Sequence, residues 1–129
     1  MSASRRLGDG YEPHVDELDG KLTYSLPVDS SFVSVDFSFE IYRTDLNVLL
    51  SDPYRRAALE VIAHTVLQRS MLPESERVTQ VMFNYMVFRT LHTPPDEFSD
   101  YVEQINRDHN IRISHYIDEV MARRSMPGA

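Results

Sequence analysis

Histidines and carboxylates are the side chains of this 129-residue sequence best suited to chemistry, and two of its five histidines have an acid at helical spacing. Glu60 and His64 stand four apart, as do His115 and Glu119. On a helix each pair shares a face, as the carboxylate and imidazole ligands of a bundle metal site must. The spacing is not the Glu-x-x-His of di-iron bundles, however, and His64 falls with Glu60 and Gln68 away from the Leu59, Ile62 and Val66 stripe. That orientation predicts a solvated face carrying an i,i+4 pair worth about 0.2–0.5 kcal/mol. No metal and no other cofactor is expected.

Other chemistries are excluded by what is missing. Without cysteine there is no disulfide framework, no Cys-based zinc site and no thiol nucleophile. The four glycines, Gly8, Gly10, Gly20 and Gly128, do not join a strand to a helix, so a phosphate-cradling loop is ruled out. There is no Gly-x-Ser-x-Gly elbow, and no carboxylate pair is marked by its spacing. No catalytic residue is assigned.

Three features suit recognition instead. Arg89 lies within an apolar helical run, between Tyr85 and Met82, where a guanidinium needs an acidic partner or must reach water along its stem. Asp96, Asp100 and Glu103, with Glu97 beside them, form an acidic ridge at i, i+4, i+7 spacing that suits a basic partner. Residues 102 to 124 resemble a helix-turn-helix, with Ile105 inward, Asn110 in the turn and Tyr116 in the second helix. Arg107, Arg112, His115, Arg123 and Arg124 would face nucleic acid there. Asp118 and Glu119 would repel phosphates, and Asn106 occupies a position that usually holds a small residue.

The elements that must position these groups follow from periodicity. Residues 1 to 19 are polar, rich in acids and without a sustained period, and are expected as a mobile tail. Asp19-Gly20 signals a turn, and Leu22, Tyr24, Leu26 and Val28 then alternate with polar residues as a strand. Pro27 places that strand at an edge or ends its pairing. Val33, Val35, Phe37, Phe39 and Ile41 alternate in the same way.

The remainder is helical in pattern. A short turn is expected over Asp45 to Leu50, and Asp52-Pro53 starts a helix running to about Ser70. A helix from about 74 to 91 has apolar residues on every side and demands cover all round. Thr93-Pro94-Pro95-Asp96 resembles a capping box opening a helix that Asn110 closes, and a last helix spans about Ser114 to Arg124. Asn110–Ser114 is the internal candidate for a further strand.

The expected fold is therefore α+β, an N-terminal β-hairpin packed against three or four helices, with residues 20 to 125 as one domain. A net charge of −7 argues against broad electrostatic binding to nucleic acid. No stretch reaches the length of a membrane span, and the N-terminus lacks the apolar core of a signal peptide, so a cytoplasmic setting is expected. The function expected is non-catalytic: a small acidic protein that binds another, basic protein as adaptor, regulator or neutralising partner of a toxin or enzyme, alone or as a homodimer. A nucleic-acid-binding regulator is the alternative.

Overall fold

The computed structural model describes residues 3–9, 12–30 and 33–125. The order is four strands followed by five helices: β1 Ser4–Leu7, β2 His14–Leu18, β3 Lys21–Ser30, β4 Val33–Ile41, α1 Arg43–Ser51, α2 Pro53–Ser70, α3 Gln80–Leu91, α4 Pro95–His109 and α5 Ile113–Ser125. The strands form an antiparallel meander in the order β1-β2-β3-β4, so the α+β class holds while the expected hairpin is half of a larger sheet.

Two of those strands arise where a tail was expected. Arg5 pairs with Asp16 at 2.7 Å and Arg6 with Glu17 at 2.8 Å across the β1–β2 ladder, and Arg43 of α1 takes the other Glu17 oxygen at 2.7 Å. Leu7 and Val15 add buried apolar surface. A segment too polar to show a hydrophobic period is thus held by its ladders and by the burial of Leu7, Pro13 and Val15, with cross-strand charge pairs adding to them. Gly8, with φ +88°, lies so close to the returning chain that a Cβ would collide with the Pro13 carbonyl.

Asp19 and Gly20 both have positive φ, the two-residue turn that matches strand twist, and they set the β2–β3 register at Leu18↔Lys21. β2 pairing stops at His14↔Ser25, two residues before Pro27, whose missing N–H therefore costs no ladder bond. β3 pairs with β4 along its whole length, aligning Leu22, Tyr24, Leu26 and Val28 with Ile41, Phe39, Phe37 and Val35 on one face.

That face is covered by α2, which begins as expected: Asp52 accepts from the Arg55 N–H at 3.0 Å, with Pro53 next. Ala57, Ala58, Leu59, Ile62, Ala63 and Leu67 are fully buried, placing α2 at the centre of the core. The small residues let the sheet, α3 and α5 approach closely. Phe83 of α3 stacks on Phe39 at 4.2 Å and tilts against Tyr24 at 5.8 Å. Burial raises the Tyr24 phenol far above its ordinary pKa.

The other differences from expectation have local causes. α3 starts at Gln80 rather than near 74, because the Thr79 hydroxyl caps the Met82 N–H at 3.2 Å, whereas Glu74 takes a left-handed conformation that interrupts any earlier helix. α4 has Pro94 as its N-cap and no capping box, since the Thr93 hydroxyl donates instead to the Arg89 carbonyl at 2.6 Å. Residues 110–114 are not a strand: Asn110 adopts the left-handed cap, and the Asn106 side chain accepts the Ile113 N–H at 2.7 Å, starting α5 one turn after α4 ends. Among the described residues no helix is long and apolar enough to cross a membrane.

Candidate functional site

α3 is apolar all round but is covered only on one side. Phe83, Met86, Val87 and Leu91 are buried, whereas Val81 is 76% exposed, Tyr85 57%, Phe88 55% and Met82 39%. Residues 81, 85 and 88 follow i, i+4, i+7 spacing, so the exposed side chains form one stripe along the helix. The expectation of cover on every side is not met within the described chain.

The stripe is held between two polar flanks. On one, Tyr101 of α4 meets Tyr85 edge-on at 6.2 Å, and the Arg89 guanidinium lies over the Tyr101 ring at 5.3 Å. Burial, and then the neighbouring Tyr85, push the Tyr101 phenol up to about 12. Among the described residues Arg89 has no carboxylate partner: Nη2 donates to the Glu97 carbonyl at 3.3 Å, and Nε is buried without an acceptor. Arg55, which the pattern did not single out, anchors this corner by donating to the Thr90 and Thr93 carbonyls at 2.9 Å each while stacking 4.1 Å over Phe98. Its only sequence signal is a cation in the first turn of α2, where the helix dipole gives it no reason to be.

The other flank is α1. His92, which follows the last residue of α3, lies 6.5 Å from Phe88 between ring centroids and contacts Asp45 at 2.6 Å. The second Asp45 oxygen accepts the Tyr42 N–H at 2.8 Å, and Tyr42 is exposed. The acidic ridge lies on the solvent side of α4, opposite the buried Phe98, Tyr101 and Ile105. Asp96, Glu97, Asp100 and Glu103 are all exposed, and none is in an ion pair among the described residues. Glu97 and Tyr101 lie one turn apart on the side of α4 that meets Arg89, whereas Asp96, Asp100 and Glu103 point away from α3 into solvent.

Away from this stripe, a groove of about 990 Å³ runs between α2, α5 and β3. Glu60, His64 and Glu119 line it, with His109, Tyr116 and Arg123. His64 is half-buried there rather than solvated. His115 keeps its i,i+4 contact with Glu119 at 3.3 Å. Among the described residues no group of three or more His, Asp or Glu side chains is placed to hold a metal ion. Glu60 turns instead to Arg124, at 3.0 Å, and Arg124 also reaches Glu12 at 3.2 Å. Burial holds the Glu60 carboxyl above its usual range despite Arg124 and Arg123. At Glu12 the cost of burial is outweighed by the Asp9 N–H, Arg124 and Arg56, and its carboxyl sits below the usual range.

This clasp also decides how the basic residues of 102–124 are disposed. Arg124 is neutralised internally, Arg123 lines the groove, Arg112 and His115 share a small depression by the α4–α5 turn, and Arg107 is exposed on α4. Comparison with family models, curated proteins and solved structures returned no match.

Proposed function

We propose that the protein acts by binding another protein, as an adaptor, regulator or neutralising partner of a toxin or enzyme, and that the exposed stripe of α3 is the centre of the interface. The observation that carries this reading is the continuity of Val81, Met82, Tyr85 and Phe88. Single exposed apolar residues are ordinary, but four large ones adjoining along one helix form a patch, and the largest apolar patch on a monomer is often functional. A stable interface needs roughly 800 Å² per partner, so the stripe supplies the apolar centre and its flanks the polar rim. Tyr85, Phe88 and Arg89 are of the types that dominate binding energy when buried by a partner.

Charge selects the class of partner. Four unpaired carboxylates on α4, in a chain of net charge −7, favour a basic surface and disfavour a second copy. The test is affinity capture of tagged protein from its native cells, with nuclease, beside the double variant Tyr85→Ser/Phe88→Ser. The expected result is a near-stoichiometric protein recovered with the parent and lost with the variant, both having the same circular dichroism. Equal recovery by both refutes the assignment to α3. Nuclease-sensitive recovery supports the nucleic-acid reading of residues 102 to 124, and a dimer in solution abolished by the variant assigns the stripe to self-association.

A further inference from the structure

The strand next to α3 has a property that the stripe does not explain. Among the described residues β4 ends the sheet and pairs only with β3. At one position its outer edge is already satisfied in an instructive way. The Glu40 N–H donates to Gln80 Oε1 at 2.9 Å, and Gln80 Nε2 donates to the Glu40 carbonyl at 2.8 Å, so a side-chain amide stands in for a neighbouring strand. Glu40 therefore directs its main chain outward. Because an antiparallel ladder alternates with a period of two, Asp36, Ser38 and Ser34 do the same. No hydrogen-bond partner for those three main chains is present among the described residues.

The other free edges of the sheet are blunted. β1 is four residues long, carries Arg5 and Arg6, and has a register shift between Arg5 and Leu7. The part of β3 beyond the end of β2 contains Pro27, and its Asp29 carbonyl accepts from Gln68 Nε2 at 2.8 Å. Short strands, bulges, proline and covering side chains are the usual protection against strand addition. β4 has none of them from Val33 to Ser38, where its register with β3 is regular and it carries neither proline nor lysine; its one charge there, Asp36, repels acidic strands and leaves basic ones admissible.

We propose that this edge, Ser34–Ser38, accepts an extended segment of the partner as a fifth strand, and that the segment alternates apolar with basic residues. The inference rests on the protein-binding reading, but not on the α3 stripe. Strand addition takes its affinity from main-chain bonds and its specificity from alternate side chains. On the inner face the incoming strand meets Val35 and Phe37, which are half-buried, and the exposed Val33. On the outer face it meets Asp36, with Asp29 on the neighbouring strand, and neither carboxylate is in an ion pair among the described residues. Glu40 already has Lys21 at 3.7 Å. A second copy is the wrong occupant, since antiparallel self-pairing centred on residue 36 sets Asp36 against its own equivalent.

The probe is an eight-residue synthetic peptide of alternating valine and lysine, titrated onto the full chain up to about 1 mM, with amide exchange followed residue by residue. The expected result is saturable binding that slows exchange at Ser34, Asp36 and Ser38 by about tenfold or more, weakened about tenfold by Asp36→Lys. A peptide of the same sequence, N-methylated at alternate residues so that charge is kept and ladder bonding lost, is expected not to bind. Equal binding of the methylated peptide reduces the effect to charge attraction and overturns the proposal, as does the absence of binding. The Tyr85→Ser/Phe88→Ser variant is expected to bind the peptide unchanged. If that variant loses a cellular partner while the peptide fails, the edge inference falls and the stripe stands.

Discussion

Replacing Arg124 with methionine tests the account of the clasp that joins the β1–β2 connection, α2 and α5. Arg124 Nη2 lies 3.0 Å from Glu60 Oε2 and 3.2 Å from Glu12 Oε2, and the Glu60 side chain retains only 16% of its exposure. At an effective dielectric of about 20, each contact carries about 5 kcal/mol of gross attraction, most of it offset by desolvation. Removing one partner of a buried pair costs about 3–5 kcal/mol. Arg124 keeps about a quarter of its side chain in water, and Arg56 remains 3.6 Å from Glu12, which lowers the expectation to about 2–3 kcal/mol. With a urea slope of about 1.5 kcal/mol/M, the unfolding midpoint at pH 7 falls by about 1.3–2 M.

The loss depends on pH in a determined direction. The folded Glu60 carboxyl is raised above its unfolded value of 4.5, so stability falls as pH rises through that window, and removing Arg124 raises the carboxyl further and enlarges the penalty at neutral pH. The Glu12 carboxyl is lowered, so its contribution is present above 4.5 and lost as pH falls through the depressed value, and removing Arg124 shrinks it. Both effects make Arg124→Met more destabilising at pH 7 than at pH 4.5. Adding Glu60→Gln is expected to recover about 1 kcal/mol or more at pH 7. A loss under about 0.5 kcal/mol at pH 7, or one no smaller at pH 4.5, refutes the reasoning.

Phe83→Ala, at a fully buried ring stacked on Phe39, is expected to cost about 3–5 kcal/mol in chemical denaturation. Gln80→Ala unpairs the Glu40 main chain and is expected to cost about 1 kcal/mol, with faster amide exchange at Glu40 while the middle of β3 keeps its protection. Asn106→Ala removes the acceptor of the Ile113 N–H and is expected to cost about 1 kcal/mol. In an ultraviolet pH titration one tyrosine, Tyr101, should ionise near 12, and Arg89→Met should raise it further because the guanidinium favours the phenolate.

What could be read from residue order was whatever rests on neighbours in sequence. The alternation of Val33 to Ile41, the Asp52-Pro53 start of α2 and the Asn110 cap are such local signals, and each appears in the fold. β1 and β2 escaped because each buries only one apolar side chain, Leu7 or Val15, and the Arg5–Asp16 and Arg6–Glu17 pairs form across a ladder that no hydrophobic period reports. The excess apolarity of α3 was legible, but not which side would remain open, since that depends on where α2, α4 and β4 come to lie. Arg89 was placed on the right helix, yet its partners are an aromatic face and a carbonyl rather than a carboxylate. The Gln80–Glu40 pairing joins residues 40 apart and had no sequence signal.

Glu12 and Arg124 are separated by 112 residues, and this gives the clasp a place in time during biosynthesis. At roughly 5–20 residues per second, a ribosome that has just made Glu12 takes on the order of 6–22 s to reach its cation. The strands and α2 are synthesised well before then, but α2 packs against α5 as well as against β3 and α3, so its cover is incomplete until the last helix has been made. A nascent chain halted before α5 therefore has Arg56 beside Glu12 but leaves Glu60 without the cation that it meets in the finished fold. Its fold tightens only after translation passes residue 124.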